Sequence, residues 1–128
     1  MVTIKVIDAS AFGAVLFNEP EAQIVIARLH NSHLAAPALF PFEIASICLK
    51  KIRRYPEQRN LLYAAYRMAD HVEIEYPSIK MDGVIELADK TGLTVYDASY
   101  LYLAQTLGAE LVTLDKQLLE VQRSGFEV

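Results

Sequence analysis

Four of the sixteen acidic residues in this chain stand where solvated surface acids seldom do. Asp8 follows the apolar run Thr3-Ile4-Lys5-Val6-Ile7. Glu43 sits within Phe40-Pro41-Phe42-Glu43-Ile44-Ala45, where an ionised carboxylate among apolar neighbours is costly unless something compensates it. Asp97 shares a helical stripe with Tyr100, Leu101 and Ala104, so a charge continues a core-facing side. Asp115 closes Leu111-Val112-Thr113-Leu114. Each also has a local explanation: Asp8, Asp97 and Asp115 as turn or helix caps, Glu43 as the partner of a helix dipole. Taken jointly they point to one site. Carboxylates gathered at close range cannot all stay ionised unaided, and hard divalent cations such as Mg²⁺ or Mn²⁺ prefer oxygen ligands. Such ions activate water and stabilise a phosphodiester under in-line attack. The Thr113 hydroxyl could orient a neighbouring carboxylate, and Ser10 joins it as a supporting residue.

These residues require a scaffold that brings distant segments together. Residues 3–7 read as a buried strand ending at Asp8, with Ser10 as N-cap of the helix that follows. Asn18-Glu19-Pro20 breaks that helix, and Pro20 suits the first turn of the next, over 21–30. A short strand spans 33–36 and stops at Pro37. A long helix over 39–54 ends in a basic cluster that suits its C-terminal dipole. Pro56 opens a helix over 57–70 whose apolar positions follow three-four spacing. The alternation Val72-Glu73-Ile74-Glu75 suits an edge strand. Ser78 is expected to cap a helix over 79–91 closing at Gly92. A helix over 97–107 closes at Gly108, a strand over 110–113 leads to Asp115, a short helix follows, and 126–128 form a last strand. Alternating strands and helices imply a mostly parallel sheet with helices on both faces. Ligands in such sheets gather at the carboxyl ends of the strands, where Asp8 and Asp115 fall.

The chain of 128 residues suits a single domain over 1–128. Its hydrophobic fraction of 53% argues for a packed core and against disorder. No apolar run reaches the roughly 18 residues of a membrane span, and the N-terminus reads as a strand and not as a signal peptide, so the cytoplasm is expected. Cys48 is the one cysteine and lies in an apolar run, which reads as a core residue. The net charge of −4 runs against binding nucleic acid by charge alone. Acids that hold cations make the bare chain look more acidic than the working one, and positive charge is concentrated at Lys50, Lys51, Arg53 and Arg54.

The four acidic segments resemble the PIN domain, and within it the VapC-type toxins of prokaryotic toxin–antitoxin pairs. Val6-Ile7-Asp8-Ala9-Ser10 resembles the family's opening strand and first acid. Pro37 to Ala45 resembles the helix that carries its second acid. Val95-Tyr96-Asp97-Ala98-Ser99-Tyr100 resembles its D-A-x-Y segment, and Thr113-Leu114-Asp115 its T-x-D segment. The likeness covers the whole chain, with the motifs in order. It implies a three-layer α/β/α sandwich, Mg²⁺ or Mn²⁺ held by Asp8, Glu43, Asp97 and Asp115, and endoribonuclease cleavage of RNA (tRNA, rRNA or mRNA). It also implies a homodimer silenced by a cognate antitoxin. One departure is Ser46, where many members carry Asn.

Lys50, Lys51, Arg53 and Arg54 are candidates for RNA phosphate contacts, or simply a solvated helix end. Tyr96, Tyr100 and Tyr102 could suggest base stacking, but Tyr100 reads as core and Tyr96 and Tyr102 as partly exposed. Leu62, Tyr63, Tyr66 and Met68 suggest a dimer or antitoxin surface. His30, His33 and His71 lack ligand spacing. Two rival functions are a catalytically silent PIN-like binding module and an aspartyl-phosphate phosphotransfer protein. The latter is disfavoured by Ser10, where a haloacid-dehalogenase-like phosphatase has a second Asp, and by the lack of a glycine-rich phosphate loop.

Overall fold

A computed structural model describes residues 2–125; the strand expected over 126–128 lies outside the described residues. The elements run β1 (Thr3–Ile7), α1 (Ala9–Leu16), α2 (Ala22–Leu29), β2 (Ser32–Ala35), α3 (Phe40–Arg54), α4 (Arg59–Arg67), β3 (Ile74–Glu75), α5 (Met81–Thr91), α6 (Val95–Leu107), β4 (Glu110–Val112) and α7 (Lys116–Ser124). Single turns of 3₁₀ helix at Pro56–Gln58 and Met68–His71 bracket α4. The expected helix over 57–70 is therefore α-helical only in its middle.

The strands form one sheet in the order β3-β2-β1-β4. Every pairing is parallel among the described residues, with Val6 opposite Ala35 on one side and Leu111 on the other. Chain order moves outward from β1 through β2 to β3, then returns across the sheet to β4. The direction of winding thus reverses between β1 and β4, which is the switch point where such sheets open a crevice at their carboxyl ends. Right-handed crossovers put α1 to α4 on one face and α5 and α6 on the other. The packing agrees: α1 touches α2 and α3, α3 touches α4, and α5 lies against α6.

Both layers bury one apolar cluster against the sheet, centred on Val6, Ile7, Leu111 and Val112. In α3 the buried positions Phe40, Ile44, Cys48 and Ile52 recur every fourth residue, the spacing of one helix face. Cys48, Ile52 and Leu62 form a smaller cluster that holds α4 to α3, so Cys48 is a core residue as expected. Helix α6 is buried at every residue from Ala98 to Ala104. It lies against β1, β4, α5 and α7, which leaves solvent mainly at its two ends.

The starts of α1, α5 and α6 are capped differently from what was expected. Helix α1 begins at Ala9 with Asp8 as its cap, because β1 ends at Ile7 and the carboxylate of Asp8 reaches the Ala11 N–H at 3.0 Å. Ser10 is inside the helix and serves elsewhere. Helix α5 begins at Met81 after an extended Lys80, and no side chain caps it, so Ser78 is not its cap. Helix α6 begins two residues early because the Thr94 side chain accepts the Asp97 N–H at 3.0 Å. Helices α5 and α6 close at Gly92 and Gly108 as expected.

Where α5 crosses α6, Gly83 gives room to the Tyr102 ring. A Cβ at Gly83 would lie 2.5 Å from the nearest ring carbon, and Tyr102 is itself buried. Gly83→Ala is therefore expected to lower stability by about 1–3 kcal/mol from overpacking, although Ala is the better helix former by up to about 1 kcal/mol. Urea denaturation checks this: the midpoint should fall with an unchanged slope.

Candidate active site

The four acids occupy equivalent local positions. Asp8 caps α1 and Asp115 caps α7, while Glu43 and Asp97 lie in the first turns of α3 and α6. Four helix N-termini therefore present one carboxylate each. The unpaired N–H groups and the dipole at such ends favour negative charge, which explains how apolar segments tolerate acids there. The capping expected of Asp8 and Asp115 is real.

Asp8 is the most buried, at 4% exposure. Its Oδ1 accepts from the Ala11 N–H and, at 2.7 Å, from the Ser10 hydroxyl. Its Oδ2 accepts from the Thr113 hydroxyl. Those two hydroxyls continue across the switch point. Ser10 Oγ accepts from the Leu114 N–H and Thr113 Oγ1 from the Asp115 N–H, each at 3.0 Å. Asp115 Oδ1 accepts from the Leu118 N–H at 2.9 Å. The loop after β4 is thus stitched to the start of α1, and Ser10 and Thr113 support Asp8 as the sequence suggests.

Electrostatics link the acids in a closed ring: Asp8 with Asp115, Asp115 with Asp97, Asp97 with Glu43, and Glu43 with Asp8. Burial pushes the pKa of Asp8 above the usual carboxylate range, opposed by its hydrogen bonds and helped by Asp115. Burial also raises Glu43, with Asp97 and Asp8 adding to it, and raises Asp97, with Asp115 adding to it.

All four side chains offer hard oxygen donors, and their mutual repulsion is the kind that a divalent cation relieves. By donor chemistry the set fits Mg²⁺ or Mn²⁺. Among the described residues no three His, Cys, Asp or Glu side chains already form a ligand cluster, so binding would draw these carboxylates closer.

Sequence reasoning missed one participant. Tyr100 is 1% exposed, as a core residue should be, but its hydroxyl donates to Glu43 Oε1 at 2.5 Å. The available signal was its place three residues after Asp97 on one helix face, since a buried tyrosine hydroxyl needs a partner. Tyr96 is exposed, but Tyr102 is buried where partial exposure was expected, because its ring packs over Gly83 of α5. Ser46 lines a shallow cleft with Leu39, Phe42, Glu43 and Tyr96, with a short hydroxyl side chain in place of the amide that the resemblance implies.

The basic cluster divides. Lys50, Lys51 and Arg54 line a groove of about 470 Å³ that reaches Ser10 and Leu114. Arg53 does not line it. Lys51 is paired with Glu19 at 2.8 Å. Of the residues expected to form a dimer or antitoxin surface, Tyr63 on α4 and Met68 in the turn after it are exposed, Tyr66 is half-buried and Leu62 packs inward. Leu61, beside them on α4, is exposed as well. His30, His33 and His71 are exposed.

A parallel sheet flanked by helices is the fold that the sequence resemblance implied. The PIN domain profile matches residues 5–124. The chain belongs to the PIN domain family. This PIN domain is 33% identical over 125 residues to Ribonuclease VapC3 of Pyrobaculum aerophilum, covering 90% of this chain and 92% of that one. It is 35% identical over 120 residues to VapC ribonuclease Mb0985 of Mycobacterium bovis, covering 88% and 87%. Its fold is similar to the crystal structure of PAE2754 from Pyrobaculum aerophilum, with a TM-score of 0.75 and 26% identity, covering 99% of this chain and 90% of that one.

Asp97 gives a test of what it costs to hold this charge, which burial sets first and Asp115 increases. The folded pKa of Asp97 lies above the ordinary 3.8, so between those values the folded PIN domain binds protons that the unfolded chain has released. Stability then falls as pH rises through that window and is greatest below it. In chelator at pH 7, Asp97→Asn is expected to be more stable than the unaltered protein. The gain should vanish as pH drops to about 4, the ordinary range for Asp. Urea midpoints measured across that range check it.

Proposed function

We propose that this PIN domain is a metal-dependent endoribonuclease that hydrolyses RNA phosphodiester bonds, the toxin of a toxin–antitoxin pair. The observation that carries this reading is the placement of four carboxylates, each at a separate helix start, along the carboxyl edge of one parallel sheet. Near-full-length likeness to proteins named VapC ribonucleases supports it.

In this reading Asp8, Glu43, Asp97 and Asp115 hold Mg²⁺ or Mn²⁺. Bound there, the cation supplies an activated water and offsets charge on the phosphodiester under attack. The protein's part is positioning. Ser10 and Thr113 fix both oxygens of Asp8, and the helix N-termini favour negative charge at the site. Lys50 and Arg54, in the groove that reaches Ser10, contact RNA phosphates, which adds affinity without reading sequence. Lys51 does so only after leaving Glu19, and Arg53 is the weakest of the four candidates.

The partners in this reading are an RNA substrate, a cognate antitoxin protein and a second copy of the chain. The protein acts as a single domain in the cytoplasm. Among the described residues no helix is long and apolar enough to cross a membrane. An aspartyl-phosphate mechanism is disfavoured because both oxygens of Asp8 are engaged by donors in a buried position.

Purified protein is expected to cut a pool of total tRNA and rRNA at discrete internal sites with Mg²⁺ or Mn²⁺, and not in chelator. Asp97→Asn should lose more than about 100-fold, since even residues behind metal ligands cost up to that much. End-labelled RNA separates internal from terminal cleavage. No cleavage by folded, antitoxin-free protein would favour the silent binding module. For the groove, Lys50→Ala and Arg54→Ala should each weaken binding of single-stranded RNA by the inactive Asp97→Asn protein. Each should flatten the slope of log affinity on log salt by about 0.7, with Arg53→Ala nearly neutral; titration by fluorescence anisotropy reads this.

A further inference from the structure

We infer that Tyr100 is a positioning residue for Glu43, its hydroxyl setting the orientation in which that carboxylate meets a divalent cation. The inference rests on the reading that Glu43 belongs to the cation site. Glu43 stands on α3 and Tyr100 on α6, so the 2.5 Å bond between them ties two helices from opposite faces of the sheet. That length is at the short end of the usual range for a hydroxyl donating to a charged acceptor.

The two partners differ in freedom. The Tyr100 ring is almost fully buried in the tightly packed middle of α6. Glu43 is only half-buried and has a long, flexible side chain that loses rotamer freedom when it is held. The rigid partner therefore locates the flexible one. Asp97 lies three residues before Tyr100 on the same helix, so α6 carries one acid of the ring and steers a second. A displacement of α6 would move both together.

Phenylalanine at position 100 keeps the ring and removes only the hydroxyl. Isothermal titration with Mn²⁺ alone would compare the unaltered protein, Tyr100→Phe, Glu43→Gln and the double variant, with circular dichroism to confirm folding. Tyr100→Phe is expected to weaken Mn²⁺ binding about 10- to 100-fold, the range for groups behind a metal ligand. Added to Glu43→Gln it should change affinity by less than about twofold, because the partner it orients is already gone. Unchanged affinity in Tyr100→Phe beside a large loss in Glu43→Gln would overturn the positioning role and leave the cation site standing. Unchanged affinity in Glu43→Gln would overturn the placement of Glu43 in that site, and this inference with it. A measurement on the unaltered protein needs no variant. The ¹³Cζ resonance of Tyr100 should shift on saturation with Mg²⁺ if its hydroxyl shares Glu43 with the ion, and an unmoved resonance would overturn the proposal.

Discussion

The cost of holding carboxylates out of water is the constraint around which this protein is arranged. Burial raises the pKa of Asp8, Glu43 and Asp97 above the usual carboxylate range, and a neighbouring acid adds to each. The fold answers with partial positive charge. Each acid stands at a helix start, where backbone N–H groups lack intrahelical partners. Two of the four carboxylates, those of Asp8 and Asp115, accept such N–H groups directly. A parallel sheet supplies these helix starts in quantity, since each strand feeds a helix from its carboxyl end.

Hydroxyl groups carry the arrangement across the sheet. Ser10 and Thr113 join Asp8 to the loop after β4, and Tyr100 joins Glu43 to α6. None of these groups adds formal charge to a crowded site, and each gives a directional bond to an anion. Among the described residues, an ion cluster beside the sheet lies elsewhere. Glu110, held below the usual carboxylate range by Arg28 and Lys5, links β4 to β1 and α2 at their other end. Charge is thus neutralised by side chains at the amino edge of the sheet and left in excess at the carboxyl edge, where cation chemistry would use it.

Much of the element pattern was legible in the sequence because it depends on local rules. Apolar runs marked β1 and β4, four-residue spacing marked α3, and Gly92 and Gly108 closed their helices. The errors fell at helix starts. Asp8 displaced Ser10 as a cap, and Thr94 displaced Asp97, because several neighbouring polar residues could each cap a helix and only the course of the preceding strand or loop selects one. Leu61 and Leu62 show the same limit on α4. Both fit an apolar pattern, yet a small shift in helix phase decides which of them packs on Cys48 and Ile52.

The sequence by itself determined which residue types could hold a cation and that they would fall at the ends of secondary-structure elements. Apolar context made Asp8, Glu43, Asp97 and Asp115 stand out, since a charge in such a context costs free energy unless it has a role. Only the tertiary structure decided that they are neighbours. Glu43 and Asp97 lie far apart in the chain, and strand order sets their helices α3 and α6 close enough for Tyr100 to reach Glu43, a property that no local pattern encodes. The tertiary structure also split the basic cluster, sending Lys50, Lys51 and Arg54 to the groove and leaving Arg53 off it. It gave Tyr100 a partner on another helix as well. Hydrogen-bond partners of buried hydroxyls are chosen by packing between layers, and sequence spacing constrains only one side of each bond.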